Sequence, residues 1–218
     1  TNNGGGAGNT LTVGNVTGAG NNLTINTGSA GAALINQLGA SGNPLGIFTV
    51  TNSHGTTIEN TTDAATVAIT ATGAGNTVAF LGNLTVTTGM TVAAAGANTY
   101  NVSIMGTANT ITSATATAFN NAGFVTLGDT VGDSTTFTGG LDTHTGPALT
   151  HTFGTVQTNS TPMVIGALTL DGATTLATNN GGGAGNTLTV GVVSGASNNL
   201  TINAGTGGVV TIATLNSV

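Results

Sequence analysis

Five side chains that could bind a metal ion lie within one stretch of the second half of the sequence. They are three aspartates and two histidines: Asp129, Asp133, Asp142, His144 and His151. Carboxylate oxygens at loop corners suit Ca²⁺, whereas two histidines with an aspartate would suit Zn²⁺. The spacing matches neither an EF-hand loop nor a known zinc signature. We take the three aspartates as a candidate calcium site, and weigh it against the interpretation we favour, an exposed polar loop.

No other group of residues indicates a reaction. Glycosidases need two positioned carboxylates, and Glu59 and Asp63 are close in sequence, but polar corners of the chain explain them equally well. No set of nucleophile, histidine and acid stands out. The glycine-rich run Gly182–Leu188 lacks the aspartate of a calcium-binding nonapeptide and the lysine of a phosphate loop. We predict that the chain is not an enzyme and that calcium is its only candidate cofactor.

The charge of the chain excludes several kinds of partner. It has no Lys and no Arg, 6 acidic residues and a formal net charge of −6. A surface without basic residues cannot neutralise phosphates, so we predict no nucleic-acid partner and no attraction to anionic membranes. The sequence has no apolar run long enough to cross a bilayer, so we predict no membrane insertion of this segment.

The composition favours short strands and tight turns over helices. Gly contributes 37 residues, and Thr, Val, Ala and Asn make up much of the rest. Thr and Val fit a pleated surface, whereas Asn and Gly tolerate the positive φ of turns. The segment Thr10–Val13 alternates in the manner of a strand, with Leu11 and Val13 on one face. Similar segments recur about every ten residues, separated by Gly or Asn.

Two all-β architectures are compatible with this spacing. An antiparallel β-sandwich would use the turns as hairpins, and a parallel β-solenoid would use them as corners between stacked strands. We favour the solenoid because the strands are very short, the corner sequences resemble one another and only 3 prolines interrupt the chain. Such a narrow solenoid predicts a dry aliphatic interior and ladders of asparagine at equivalent corners.

The chain repeats itself over a long period. Thr1–Gly14 returns without a change as Thr178–Gly191, an offset of 177 residues. We predict that 1–177 is one repeat unit and that 178–218 opens the next copy, continuous with the first, within a longer chain. The predicted partners are therefore copies of the repeat, stacked end to end or side by side into a filament.

One part of the repeat unit departs from the pattern. Between about 128 and 154 the alternation weakens and Gly139-Gly140 and Gly146-Pro147 mark turns, so we predict an irregular insertion there. Gly39–Pro44 is a second, shorter interruption.

Seven asparagines begin an Asn-x-Ser/Thr sequence. These sites could accept a glycan, or their asparagines could form ladders between coils, and we favour the ladders. They are Asn15, Asn22, Asn60, Asn83, Asn101, Asn159 and Asn199.

Two segments of the sequence, Gly82–Gly89 and Gly166–Thr175, resemble the giant repetitive β-strand-repeat proteins that bacteria secrete. These are similar to filamentous haemagglutinins and autotransporter passengers. The resemblance implies a secreted or surface-exposed β-solenoid that acts as a fibre, sheath or adhesin. Our first hypothesis is a structural repeat of an extracellular or cell-surface fibre. The alternative is an adhesin or an ice-binding surface module, since the outward pairs Thr10/Thr12 and Thr85/Thr87 have the Thr-x-Thr spacing of ice-binding solenoids.

Overall fold

A computed structural model of the chain describes residues 9–94, 96 and 99–218. It is all-β, a parallel solenoid of about nine coils with almost no helix. In the described residues the single helical element is a 3-10 turn, Asn180–Gly182. The strands are β1 (Leu11–Val16), β2 (Leu23–Asn26), β3 (Ala33–Leu38), β4 (Leu45–Asn52), β5 (Thr56–Ile58), β6 (Thr62–Ile69), β7 (Thr77–Phe80), β8 (Leu84–Val92), β9 (Asn101–Ile104), β10 (Ala108–Ile111), β11 (Thr117–Ala118), β12 (Phe124–Leu127), β13 (Ser134–Phe137), β14 (Leu141–Thr143), β15 (Leu149–Thr158), β16 (Met163–Ile165), β17 (Leu168–Ala177), β18 (Leu188–Ser194), β19 (Leu200–Asn203) and β20 (Val210–Asn216).

Each coil crosses three columns of stacked strands, which we call the first, second and third face. The first face contains the start of β1 and β3, then β5, β7, β9 and β12, the start of β15 and β17, and the end of β18 and β20. The second contains the end of β1 and β3, the start of β6 and β8, then β10 and β13, the end of β15 and β17, and β19. The third contains β2 and β4, the end of β6 and β8, then β11, β14 and β16, and the start of β18 and β20.

Every ladder between these strands is parallel, which confirms the solenoid and shows that the sandwich alternative is wrong. Register partners on the first face are a coil apart, as with Phe124 and Leu149 or Thr150 and Leu168. The Gly- and Asn-rich corners therefore turn the chain onto the next face instead of reversing it into a hairpin. The described part of the chain contains no helix with the length and apolar character needed to cross a bilayer.

The sequence repeat is also a repeat of backbone conformation. The corner after β1 places Ala19 and Gly20 at φ 46° and 77°, and the corner after β18 places Ala196 and Ser197 at φ 46° and 74°. These φ values lie in the left-handed region, which residues other than glycine seldom adopt. The same two-residue corner therefore forms in both copies, although Ser197 stands where Gly20 stands in the first.

The segment 128–154 is not an irregular insertion, and that prediction is wrong. β13 and β14 lie within it and β15 begins in it, and each of these strands has parallel partners in both neighbouring coils. At Gly146 the turn passes so close to the coil below that a Cβ atom would lie 2.0 Å from the carbonyl oxygen of Phe119. The glycines therefore mark tight corners of a regular coil. Gly39–Pro44 does form the connection between β3 and β4.

Apolar side chains from the three faces fill the interior. Two pairs of rings pack edge to face, Phe48 with Phe80 at 6.4 Å between centroids and Phe119 with Phe137 at 6.1 Å. Such pairs add to the free energy gained from burying the rings. The fully buried aliphatic side chains include Ile35, Leu38, Ile58, Ile69, Leu84, Ile104, Leu127 and Ile165.

The sequence predicts a dry aliphatic interior. The interior of the structure is not purely aliphatic. Many threonines point inward, and most of them pair with a neighbouring group. Thr56 donates to the hydroxyl of Ser53 at 3.0 Å, and Thr150 donates to that of Thr143 at 2.8 Å. Thr62 and Thr117 are buried with hydroxyl oxygens that have no hydrogen-bond partner among the described residues. Inward threonines also hide the strand β14, because they replace the apolar residues that reveal alternation.

Replacing Thr62 by valine is expected to raise the free energy of unfolding by about 1 kcal/mol. The substitution keeps the shape of the side chain and removes a buried hydroxyl that has lost its water without gaining a partner. The matched control is Thr150→Val, which leaves the Thr143 hydroxyl without its donor and should lower the free energy of unfolding by about 1 kcal/mol. Urea unfolding of both variants measures the difference, and a Thr62→Val protein less stable than the parent would contradict it.

Candidate functional site

The carboxylate of Asp133 closes the turn between β12 and β13. Its Oδ2 accepts the backbone N–H groups of Asp129 and Thr130, both at 2.8 Å, and its Oδ1 accepts the Thr130 hydroxyl at 2.8 Å. Burial opposes ionisation of Asp133, but these donors outweigh burial and lower its pKa. Burial and the neighbouring Asp133 raise the pKa of Asp129. The arrangement is a hydrogen-bonded turn that already uses most of the acceptor capacity of Asp133.

The third predicted calcium ligand lies elsewhere. Asp142 is on β14, on the third face, and its Oδ1 accepts the backbone N–H of His144 at 2.9 Å. Within the described residues, no group of three or more His, Asp or Glu side chains could hold a metal ion. The calcium site therefore remains a prediction, for which the fold brings together Asp129 and Asp133 but not Asp142.

Acid is expected to destabilise the protein through Asp133. A carboxylate whose pKa is lower in the folded than in the unfolded chain stabilises the fold above the unfolded value of about 3.9 and loses that contribution as the pH falls through the folded value. Urea unfolding should therefore show falling stability below about pH 4. In the Asp133→Asn variant this fall should be much smaller, although the variant is less stable at pH 7. An equal fall in both proteins would contradict the assignment to Asp133.

His151 belongs to a different cluster from the predicted one. Its Nδ1 is 3.0 Å from both carboxylate oxygens of Asp171, and the ring of Phe124 packs against its ring at 5.5 Å between centroids. Asp171 is not part of the predicted cluster, and the only sign of it in the sequence is its position about one coil beyond His151. The cluster is exposed on the first face, where an ion pair contributes little to stability.

Asparagines at the corners join one coil to the next through their side chains. The Oδ1 of Asn22 accepts the N–H of Ile47 at 2.8 Å, and the Oδ1 of Asn83 accepts that of Ala108 at 3.0 Å. Asn101 does the same for Phe124 at 2.8 Å. Each bond spans roughly one coil, so the side chain continues the ladder where the backbone turns the corner.

A second set of asparagines stacks directly. The Nδ2 of Asn36 donates to Asn15 at 2.5 Å, and the Nδ2 of Asn60 donates to Asn36 at 2.6 Å. The chain thus builds a ladder of three asparagines in successive coils, as predicted. Near the copy boundary, Asn180 donates to Asn159 at 2.9 Å. Six of the seven Asn-x-Ser/Thr asparagines hydrogen-bond to a neighbouring coil in these ways: Asn15, Asn22, Asn60, Asn83, Asn101 and Asn159.

The second face carries an array of outward threonines, which we call the threonine array. Thr85, Thr110 and Thr136 are register partners in three successive coils. The residue two places further on is also threonine in each coil, and backbone hydrogen bonds hold these segments in the same register. The second set is Thr87, Thr112 and Thr138. Asp63 precedes the array and Gln157 follows it on the same face.

The spacing of the threonine array follows from the geometry of the sheet. Successive coils are about 4.8 Å apart and alternate residues of a strand about 6.6 Å apart, so the array is a grid of hydroxyl and methyl groups. Thr110 and Thr112 are exposed, whereas the hydroxyl of Thr138 accepts the N–H of Ser113 at 3.2 Å. The grid carries no charge and can order water or pack against another neutral surface.

The fold and the long repeat together define a tandem-repeat parallel β-solenoid. Comparison of the chain with protein-family models, curated sequences and solved structures found no match.

Proposed function

We propose that the chain is a structural segment of an extracellular or cell-surface fibre in which copies of the repeat stack into one rod. The observation that carries this proposal is the continuity of the ladders across the boundary between copies at Thr178. β18 of the second copy pairs with β16 and β17 of the first, and β19 pairs with β17. Residues 178–187, which include the 3-10 turn Asn180–Gly182, connect β17 to β18, and the parallel ladders continue beyond them, so the boundary is one more step in the stack.

The outer surface supports the same role. Like charges stacked one coil apart repel each other, and a chain with 6 acidic and no basic residues avoids most such contacts. A chain without Lys or Arg also has no site for trypsin-like proteases, which suits a protein outside the cell. The resemblance to secreted bacterial repeat proteins favours the same location.

Three chains test the fibre proposal. They contain one, two and three consecutive copies of residues 1–177, and every chain ends with a single copy of residues 178–218. Each added copy should lengthen the rod by about 37 Å without widening it, since a copy contributes almost eight coils of about 4.8 Å. Small-angle scattering and electron microscopy measure both dimensions. A matched chain with a Gly/Ser linker inserted at the boundary supplies the scattering curve of jointed rods. If the multi-copy chain without the linker gives that same scattering curve, the fibre proposal fails and an adhesin of separate modules is favoured.

The threonine array favours ice binding as a second candidate function. A grid of hydroxyl and methyl groups on a rigid face can hold water in an ordered layer. The Thr110→Lys variant breaks the grid at its centre and should abolish inhibition of ice recrystallisation. The matched control, Thr57→Lys, adds the same charge on the first face and should leave any inhibition unchanged. A parent protein without inhibition, or equal loss in the two variants, would rule out this candidate.

A further inference from the structure

The two copies of the repeated sequence lie on different faces of the solenoid. Leu11 is on the first face, paired with Ala33, whereas its counterpart Leu188 is on the third face, paired with Met163. The same shift occurs at the second repeated strand. There, Leu23 lies on the third face and its counterpart Leu200 on the second.

The shift follows from the length of the repeat in coils. Seven steps along the first face lead from Leu11 to Leu168, and two further faces lead to Leu188. A copy is therefore seven coils and two faces long, and it returns the sequence one face short of a whole coil. The register partners along the first face are Leu11, Ala33, Thr56, Val78, Val102, Val125, Thr150 and Leu168.

The first copy has an open edge where the second copy is covered. Among the described residues, β1 pairs only with β3 and β2 only with β4. Apolar side chains of β1 remain partly exposed, whereas the identical or equivalent side chains of β18 are fully buried against β16 and β17. The exposed set is Leu11, Val13 and Val16, and the buried set is Leu188, Val190 and Val193.

We infer that the edge formed by β1 and β2 is the docking surface for the closing coil, Met163–Ala177, of a preceding copy of the repeat, seated one face out of phase. This inference rests on the proposed fibre and specifies its junction. The internal boundary between copies identifies the occupant. There β18, the counterpart of β1 in the second copy, already covers the coil Met163–Ala177 of the first copy. Because each copy ends one face short of a whole coil, three copies return every side chain to its starting face.

The rotation has a consequence for any surface feature of the repeat. The threonine array on the second face of one copy lies on the first face of the next copy and on the third face of the copy after that. A fibre built in this way presents the same lateral contacts on three sides. It does not present one continuous plane of threonines.

A chain in which residues 1–177 are joined directly to residues 1–218 tests the junction. The protein has no cysteine, so two introduced thiols report only on each other. Register partners in adjacent strands are close enough for a disulfide. The out-of-phase junction places Thr12 of the second copy beside Val164 of the first, as Thr189 is beside Val164 in the 218-residue chain. A junction in phase would instead place Thr12 beside Thr169, because within one copy the first-face column of Thr12 ends on that residue.

We expect mild oxidation to cross-link most of the Val164→Cys/Thr12→Cys protein and little of the Thr169→Cys/Thr12→Cys protein. The Val164→Cys/Thr189→Cys variant of the 218-residue chain calibrates the yield. The opposite preference overturns the phase shift but leaves the fibre intact if scattering still shows one rod. Cross-linking of neither pair overturns the junction. Scattering then decides whether the fibre falls with it, since jointed rods contradict both proposals.

Discussion

Replacing Phe80 by alanine is expected to lower the free energy of unfolding by about 3–5 kcal/mol. The ring is fully buried in the first-face stack and packs edge to face against Phe48. In a narrow solenoid the neighbouring coils are held by their own ladders, so they cannot collapse into the space that the ring leaves. The loss should therefore lie in the upper range for a large-to-small substitution.

The matched control is Phe124→Ala. The ring of Phe124 is 46% exposed, so its removal should change the free energy of unfolding by less than about 1 kcal/mol. Urea unfolding followed by circular dichroism measures both variants. Equal losses in the two proteins would mean that the interior stack does not hold the coils together.

Alkaline solution is expected to destabilise the protein through one residue. Tyr100 is buried, and its burial raises its pKa to about 12 from the ordinary value of 10.0. Its hydroxyl donates to the backbone carbonyl oxygen of Ala93, a bond that ionisation removes. A group with a raised pKa contributes stability below its unfolded value and loses it as the pH rises to the folded value. The free energy of unfolding should therefore fall by roughly 2 kcal/mol between pH 10 and pH 12.

The composition makes this measurement unusually direct. The chain has one tyrosine and no Lys, Arg, Cys or Trp, so Tyr100 is its only side chain that titrates in alkaline solution. Absorbance of the tyrosinate follows its ionisation in folded and urea-unfolded protein. The Tyr100→Phe variant should keep the same stability from pH 10 to pH 12. A titration near pH 10 in the folded protein, or a parallel loss in the variant, would contradict the buried position.

The sequence predicted strands where apolar alternation was visible. Thr77–Phe80 and Leu84–Val86 alternate clearly, and both lie in strands of the solenoid. The short strand β14 was not predicted, because it turns threonine inward and its neighbours do the same. Polarity alone does not separate an inward threonine with a hydroxyl partner from an outward one.

The sequence predicts which type of contact joins neighbouring coils, but not which residues are partners in each contact. The asparagine ladders followed from Asn at similar corners, but the partner of His151 did not follow, because coil length varies and Asp171 is identified only by register. For the same reason Asp142 was grouped with Asp129 by proximity in sequence, although a strand boundary places it on another face. The rotation between copies also depends on register and could not be obtained from the repeat length alone.

Fibre diffraction from aligned specimens of the three-copy chain tests the stacking of copies into a single rod most directly. If the coils of all copies stack along one axis, the pattern has a meridional reflection at about 4.8 Å, with the strands perpendicular to the fibre. A pattern in which the reflection at about 4.8 Å lies on the equator, or spreads into an unoriented ring while the specimen itself is aligned, would show that the copies do not share an axis.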